Sequence, residues 1–228
     1  MRRFYDPDIS ETITEHVLSE EESGHVVRVL RMNTGDALEI LDGRGNCYVA
    51  NIRDAHHKRC LVEITHRFSE TQPERRIHIA MGPTKQGDRL EWFVEKATEI
   101  GLTHLSFIET CNMERTRLKL DRLQKKAISA MKQSRRLYLP EIELLQSYSD
   151  FLNQHPQGYI AHCYDKKKMT LQETYGLTEG PILIGPEGDF TPSEVEQAIA
   201  SGYYPVTLGE NRLRTETAAL YAVVCASM

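Results

Sequence analysis

The chain has 228 residues, enough for one large domain or a small one beside a medium one, so core size sets no limit. A charged fraction of 27% and a formal net charge of −5, averaged over the chain, argue against a nucleic-acid partner. Five scattered cysteines without a CxxC pair, no His cluster at metal-ligand spacing, a start (MRRFYDPDIS) without an apolar segment, and no apolar run long enough to cross a bilayer set the expectation. They lead us to expect a cytoplasmic protein with reduced thiols, no metal and no membrane span.

Ser19 and Glu22 form a capping-box pattern ahead of GHVVRVLRM, which predicts a short helix. ALEIL, CYVANI and CLVEI read as strands, with DGRGN as the turn between the first two. Residues 1–70 are thus expected to be a small, mainly β domain. FSETQPERR is polar and holds a proline, and it marks the linker. Beyond it the pattern alternates. IHIAMG is a strand, DRLEWFVEKATEIG a helix stopped by Gly101, HLSFIE a strand and RLKLDRLQKKAISAMKQSRR a long basic helix. EIELL, GYIAHC, PILIG and PVTLG supply more strands, with helices at SDFLNQH, PSEVEQAIASG and TETAALYAVVCASM. Such alternation predicts βαβ units and a largely parallel sheet over residues 71–228, an α/β fold.

The charge average conceals an asymmetry. Lys and Arg against Asp and Glu number 9 to 13 over residues 1–70, 14 to 8 over 71–140 and 5 to 12 over 141–228. From Arg115 to Arg136 the cations are opposed only by Asp121, so a polyanion could be held there. Neither GxGxxG after the first strand of the second domain nor GxxxxGK[ST] is present, and there is no GxSxG or HExxH.

In LIGPEGDFTPSEVEQAI, from Leu183 to Ile199, an apolar run meets a loop and then a helix start. Thr191 fits the N-cap, Pro192 the first helical position and Glu194 the closing residue of a capping box. Gly185 and Gly188 either leave backbone amides bare for another molecule or simply make a tight turn. In open parallel sheets ligands bind beyond the carboxyl ends of strands, where GPEGDF and LGENRLRTE both fall.

IGPEGDFTPSEVEQA followed by VTLGENRLRTETAALYA resembles the paired signature of the RsmE-type ribosomal RNA uridine-N3 methyltransferases of the SPOUT superfamily. KATEIGLTHLSFIET, AMKQSRRLYLPEI and HVVRVLRMNTGD resemble three accessory segments of that family, in the same order. The resemblance implies a small mainly-β PUA-like RNA-binding domain at 1–70. At 71–228 it implies a SPOUT methyltransferase domain with a knotted parallel sheet, closed by a C-terminal trefoil knot. It further implies a homodimer, S-adenosylmethionine as methyl donor, and 16S ribosomal RNA within the small ribosomal subunit as substrate. Ser129 stands where the family's glutamine helix is expected to carry glutamate, and CNMERT replaces a threonine-glutamate-arginine-serine segment.

By the same likeness the cofactor lies against Leu183, Ile184, Gly185, Pro186, Glu187 and Gly188, then Leu208, Gly209, Asn211, Leu213 and Arg214. Uridine N3 carries a proton, so transfer requires its removal or stabilisation of the anion. Arg214 is assigned to that charge or to a nearby phosphate, its alternative being an ion pair with Glu210 or Glu216. Glu187 is assigned as general base, or alternatively orients the loop through backbone amides. Thr215 is expected to cap the last helix, with Glu216 favouring its dipole. Arg28, Arg31, Arg115, Arg117, Arg122, Lys126, Arg135 and Arg136 are expected to grip RNA phosphates or else form a solvated cationic face. Ribose 2′-O methylation and an idle RNA-binding factor remain the competing functions.

Overall fold

The computed structural model describes residues 1–114, 118–164 and 167–228. Packing divides the chain into two compact units, Met1–Pro73 with Met131–Leu139, and Glu74–Ala130 with Pro140–Met228.

In the first unit, β1 (Arg2–Tyr5), β2 (Glu15–Val17), α1 (Glu20–Gly24), β3 (Ala37–Leu41), β4 (Asn46–Asp54) and β5 (Leu61–Ser69) follow in chain order. They form a sheet in the order β1-β3-β4-β5-β2, parallel between β1 and β3 and antiparallel elsewhere. Inward-facing residues of these strands, among them Phe4, Leu38, Ile40, Tyr48, Ile52 and Val62, bury into one core. The helix lies earlier than the apolar pattern suggests. α1 spans Glu20–Gly24, and His25–Val29 continue as a π-helical turn. Ser19 caps it, accepting from the Glu22 amide at 3.2 Å. The Glu22 carboxylate instead accepts from the Tyr5 amide at 3.2 Å and pairs with Lys132 at 3.2 Å.

The first unit also takes in a stretch from well beyond residue 70. Met131 and Leu137 bury against Leu41 and Cys47, and the Leu139 amide donates to the Gly43 carbonyl at 2.9 Å. A stretch remote in sequence thus completes the first unit's core.

The second unit runs β6 (His78–Met81), α2 (Gly87–Ile100), β7 (His104–Glu109), α3 (Leu120–Ser134), β8 (Glu141–Ser147), α4 (Tyr148–Gln154), β9 (Gly158–Ala161), β10 (Met169–Thr170), α5 (Leu171–Thr174), β11 (Ile182–Ile184), α6 (Pro192–Ala200), β12 (Tyr203–Thr207) and α7 (Thr215–Ser227). The last residues of α3, from Met131, count with the first unit. The seven strands form a wholly parallel sheet in the order β10-β12-β9-β11-β6-β7-β8. Its central strands read as short continuous apolar runs because helices cover both faces, as a parallel sheet requires. One such layer joins Ile160 and Leu183 to Phe151, Phe190, Val195 and Ala198. Among the described residues no helix is long and apolar enough to cross a membrane.

Candidate functional site

Because every strand of the second sheet points the same way, the loops after β6, β7, β9, β11 and β12 all emerge at one edge. The loop after β11 is fixed there from several directions. The Asp189 amide closes a turn onto the Pro186 carbonyl at 2.9 Å. Glu187 Oε1 accepts from the Lys85 amide, in the loop after β6, at 2.8 Å. Asn112, after β7, donates through Nδ2 to the Gly188 and Asp189 carbonyls at 3.1 and 3.0 Å. Asp189 Oδ2 accepts from the Cys163 amide, after β9, at 2.9 Å. Asp189 adopts a positive φ of 61°, which its short polar side chain tolerates and these bonds hold.

The helix after this loop starts as its sequence predicts. Thr191 and Glu194 make both bonds of the capping box, and Glu194 Oε1 also accepts from the Cys111 amide at 2.8 Å. One buried carboxylate therefore ties the start of α6 to the segment after β7.

The loops after β9, β11 and β12 line a cavity of 1110 Å³. Ile184 to Asp189 form one wall and Thr207 to Thr215 another; Ala161 to Tyr164, with Lys167 and Lys168, line a third, and Arg89 and Ala218 complete it. Ile184, Gly185, Pro186, Glu187, Gly188, Leu208, Gly209, Asn211, Leu213 and Arg214 therefore face one space. Leu183 does not; its side chain is fully buried in the core layer with Phe190 and Val195.

The two loop glycines act as the tight-turn alternative requires. A Cβ on Gly188 would lie 2.8 Å from the Asn112 Cβ, and one on Gly185 would meet Asp189, so the protein's own atoms occupy the space beside both. Gly209 differs. It has φ of +123° and nothing within 4 Å of a built Cβ, so a ligand can come close to its backbone.

The third wall is absent from the sequence prediction. GYIAHC reads locally as a strand, and only the strand order reveals that β9 lies between β11 and β12 and so must send its following loop into the same space. In that loop partial desolvation, and then the Asp189 carboxylate, push the Cys163 thiol up.

At the other wall, Arg214 and not Thr215 occupies the cap position of α7, with φ −69° and ψ 153° and no side-chain cap bond. Thr215 is instead buried as the first helical residue. Glu216 is also buried, and pairs with Arg89 through Nε at 3.5 Å rather than with Arg214.

The expected RNA-gripping residues fall in both units. In the first, Arg28 and Arg135 are exposed, as is Arg31, and Arg31 and Arg135 have φ of 54° and 64°. Arg136 is half-buried, and burial holds its guanidinium below the usual pKa. In the second, Arg122 pairs with Glu91 at 3.7 Å and Lys126 with Glu95 at 3.5 Å, so the cations of α3 are partly offset by acids of α2. Arg115 and Arg117 lie outside the described residues.

A parallel sheet carrying a loop-built cavity at its carboxyl edge, in a chain that opens with a small β unit, defines the class. Residues 71–227 match the family model of the RNA methyltransferase domain, and residues 18–65 that of the RNA methyltransferase PUA domain. The chain is 30% identical to the ribosomal RNA small subunit methyltransferase E of Bacillus subtilis, over 89% of this chain and 86% of that one. It is similar to a crystal structure of a "probable rRNA-methyltransferase" from Porphyromonas gingivalis, with a TM-score of 0.88 and 42% identity over 98% and 95% of the two chains. A structure of ribosomal RNA small subunit methyltransferase E from Neisseria gonorrhoeae bound to S-adenosyl methionine matches with a TM-score of 0.84 and 27% identity, over 98% and 95%. The chain belongs to the RNA methyltransferase family, in its ribosomal RNA small subunit methyltransferase E group.

Proposed function

We propose that this protein transfers a methyl group from S-adenosylmethionine to N3 of a uridine in 16S ribosomal RNA, in the cytoplasm and as a homodimer. The observation that carries the reading is the cavity. Its 1110 Å³ exceeds the roughly 300–1,000 Å³ of a typical small-ligand site, which suits a donor together with an extruded base. The residues fit the donor. Ile184 to Gly188 supply a preformed backbone wall, and Leu208 to Leu213 face it with Gly209 open to close approach.

The bound cofactor supplies an electrophilic methyl carried on a sulfonium. The chain's part is to align the nucleophile and exclude water, which is worth most when the site is rigid before binding. Glu187 serves that rigidity through the Lys85 amide, and we assign its other carboxylate oxygen as acceptor for the N3 proton. Arg214, exposed at the start of α7, presents a guanidinium fork to the charge that develops on the uracil oxygens. The strand order supports the knotted path implied by the family likeness: β9 lies between β11 and β12, two strands that follow it in the chain.

The test is mass analysis of nucleosides after reaction with small ribosomal subunits that lack the modification. A base-methylated uridine is expected. Methyl on the ribose would establish 2′-O transfer instead, and no incorporation would reduce the protein to a binding factor.

A further inference from the structure

Arg89 projects from the first turn of α2, a helix that the cofactor signature does not include, yet its side chain reaches the cavity wall. Its Nε is held 3.5 Å from Glu216 Oε1, while the terminal nitrogens make no hydrogen bond among the described residues. The Glu216 side chain is only 8% exposed, and its second oxygen has no partner among the described residues. A carboxylate taken out of water this far is retained only with a cation beside it, and among the described residues Arg89 is the cation that pairs with it. The pair can be read as purely structural. That reading leaves unexplained why the guanidinium stays one-third exposed at a cavity wall with its outer fork unused.

We propose that Arg89 is a substrate-binding residue that grips a phosphodiester of the target RNA strand at the cavity mouth, and that Glu216 is its positioning residue. Three features support this. The fork left over once Nε is engaged matches two phosphate oxygens. Partial exposure suits a group that must meet a backbone remaining outside while the base enters. And Arg214 lies two residues from Glu216, so cations on α2 and at the start of α7 face the same space, one available to the strand and the other to the base. The inference rests on the RNA-methylating role proposed above.

The test compares the unsubstituted protein with Arg89→Gln, Arg89→Lys, Glu216→Gln and the Arg89→Gln/Glu216→Gln double variant, each first shown by thermal melting to be folded. Methyl transfer to small ribosomal subunits is measured with varied RNA and with varied cofactor, together with the salt dependence of RNA binding. Arg89→Gln should raise the KM for RNA about tenfold and leave the affinity for S-adenosylmethionine within about twofold. It should also lower the slope of log K against log salt by about 0.7, the value for one single-strand phosphate contact. Arg89→Lys should keep that slope and recover part of the KM, because charge survives and the fork does not. Glu216→Gln should raise KM less, and the double variant should be no worse than Arg89→Gln alone. An unaltered salt slope in Arg89→Gln, or a loss of cofactor affinity with unchanged RNA KM, overturns the assignment even though methylation by the unsubstituted protein stands. No transfer by the unsubstituted protein overturns the role on which it rests, and the assignment with it.

Discussion

Arg214 and Glu187 show how differently two residues of one motif can be placed. Glu187 is committed through one oxygen to the Lys85 amide, whereas Arg214 stands exposed at the cavity and Glu216, one of the two acids considered as an alternative partner for it, is turned to Arg89. Removing a group that acts on developing charge lowers turnover, while removing one that only shapes the pocket weakens binding. Arg214→Ala is therefore expected to reduce kcat by about 10²–10³-fold, the usual cost of losing one such donor, and to lower cofactor affinity by less. Steady-state kinetics beside calorimetry with S-adenosylmethionine checks this; an unchanged kcat removes Arg214 from the chemistry. At this scale the two sequence motifs do supply residues that line one cavity. The Leu183 side chain lies in the core rather than at the cavity, and Cys163 and Tyr164 reach the cavity wall only through strand order.

Among the elements, α6 was the most legible, because its whole start signal lies within four residues. Thr191, Pro192 and Glu194 take the expected places. Thr191→Ala should cost about 1 kcal/mol in chemical denaturation, since it frees the Glu194 amide and one side of the box; a change near zero would mean Glu194 holds the turn alone. The short strands β1, β2 and β10 gave no readable period, being two to four residues long, and the capping box of α1 is only half made because Glu22 serves Tyr5 and Lys132 rather than its own cap.

At the opposite edge of the second sheet, His78 packs against His104 and His155 with ring centroids at 5.5 and 5.1 Å, and its Nε2 lies 2.7 Å from Ser106 Oγ. Ser106 in turn bonds Glu143, and Glu141 pairs with His104. Burial, then repulsion from His155 and His104, depresses His78 to about 3, and burial chiefly lowers His155 as well. A depressed histidine contributes stability that is complete above the ordinary value near 6.5 and is lost as pH falls toward the folded value. Stability should thus decline from pH 6.5 downward, by up to about 1.4 kcal/mol per pH unit for His78, and less steeply in His78→Asn. Equal slopes for the two proteins would show that His78 carries none of the effect.

For the whole molecule, the last helix is the element that bears on the proposed homodimer. From Thr217 onward α7 has no charge, and it buries Ala219, Ala222, Val223 and Ala226, yet Tyr221 stays 40% exposed and Met228 67%. With Thr217 and Val224 these two residues fall at helical spacing on one stripe, and we propose that stripe as the contact of the homodimer proposed above. Tyr221→Glu is expected to shift the protein to monomer in sedimentation velocity at micromolar concentration; a dimer that survives places the contact elsewhere. Neither the stripe nor the joining of Met131–Leu139 to the first unit could be read along the chain, because both depend on which distant surfaces meet. The alternation of strand and helix, by contrast, fixed a parallel sheet, and a parallel sheet dictates the edge at which its ligand loops gather. What remained hidden was how the strands are ordered, and hence which of those loops share a cavity.

The most direct test is a crystal structure of the protein with S-adenosylmethionine. The donor should lie in the single space bounded by Ile184–Gly188, Leu208–Leu213 and the loop after β9, with its sulfonium methyl turned toward Arg214. A donor bound at any other place, or none bound at saturating concentration, contradicts the account.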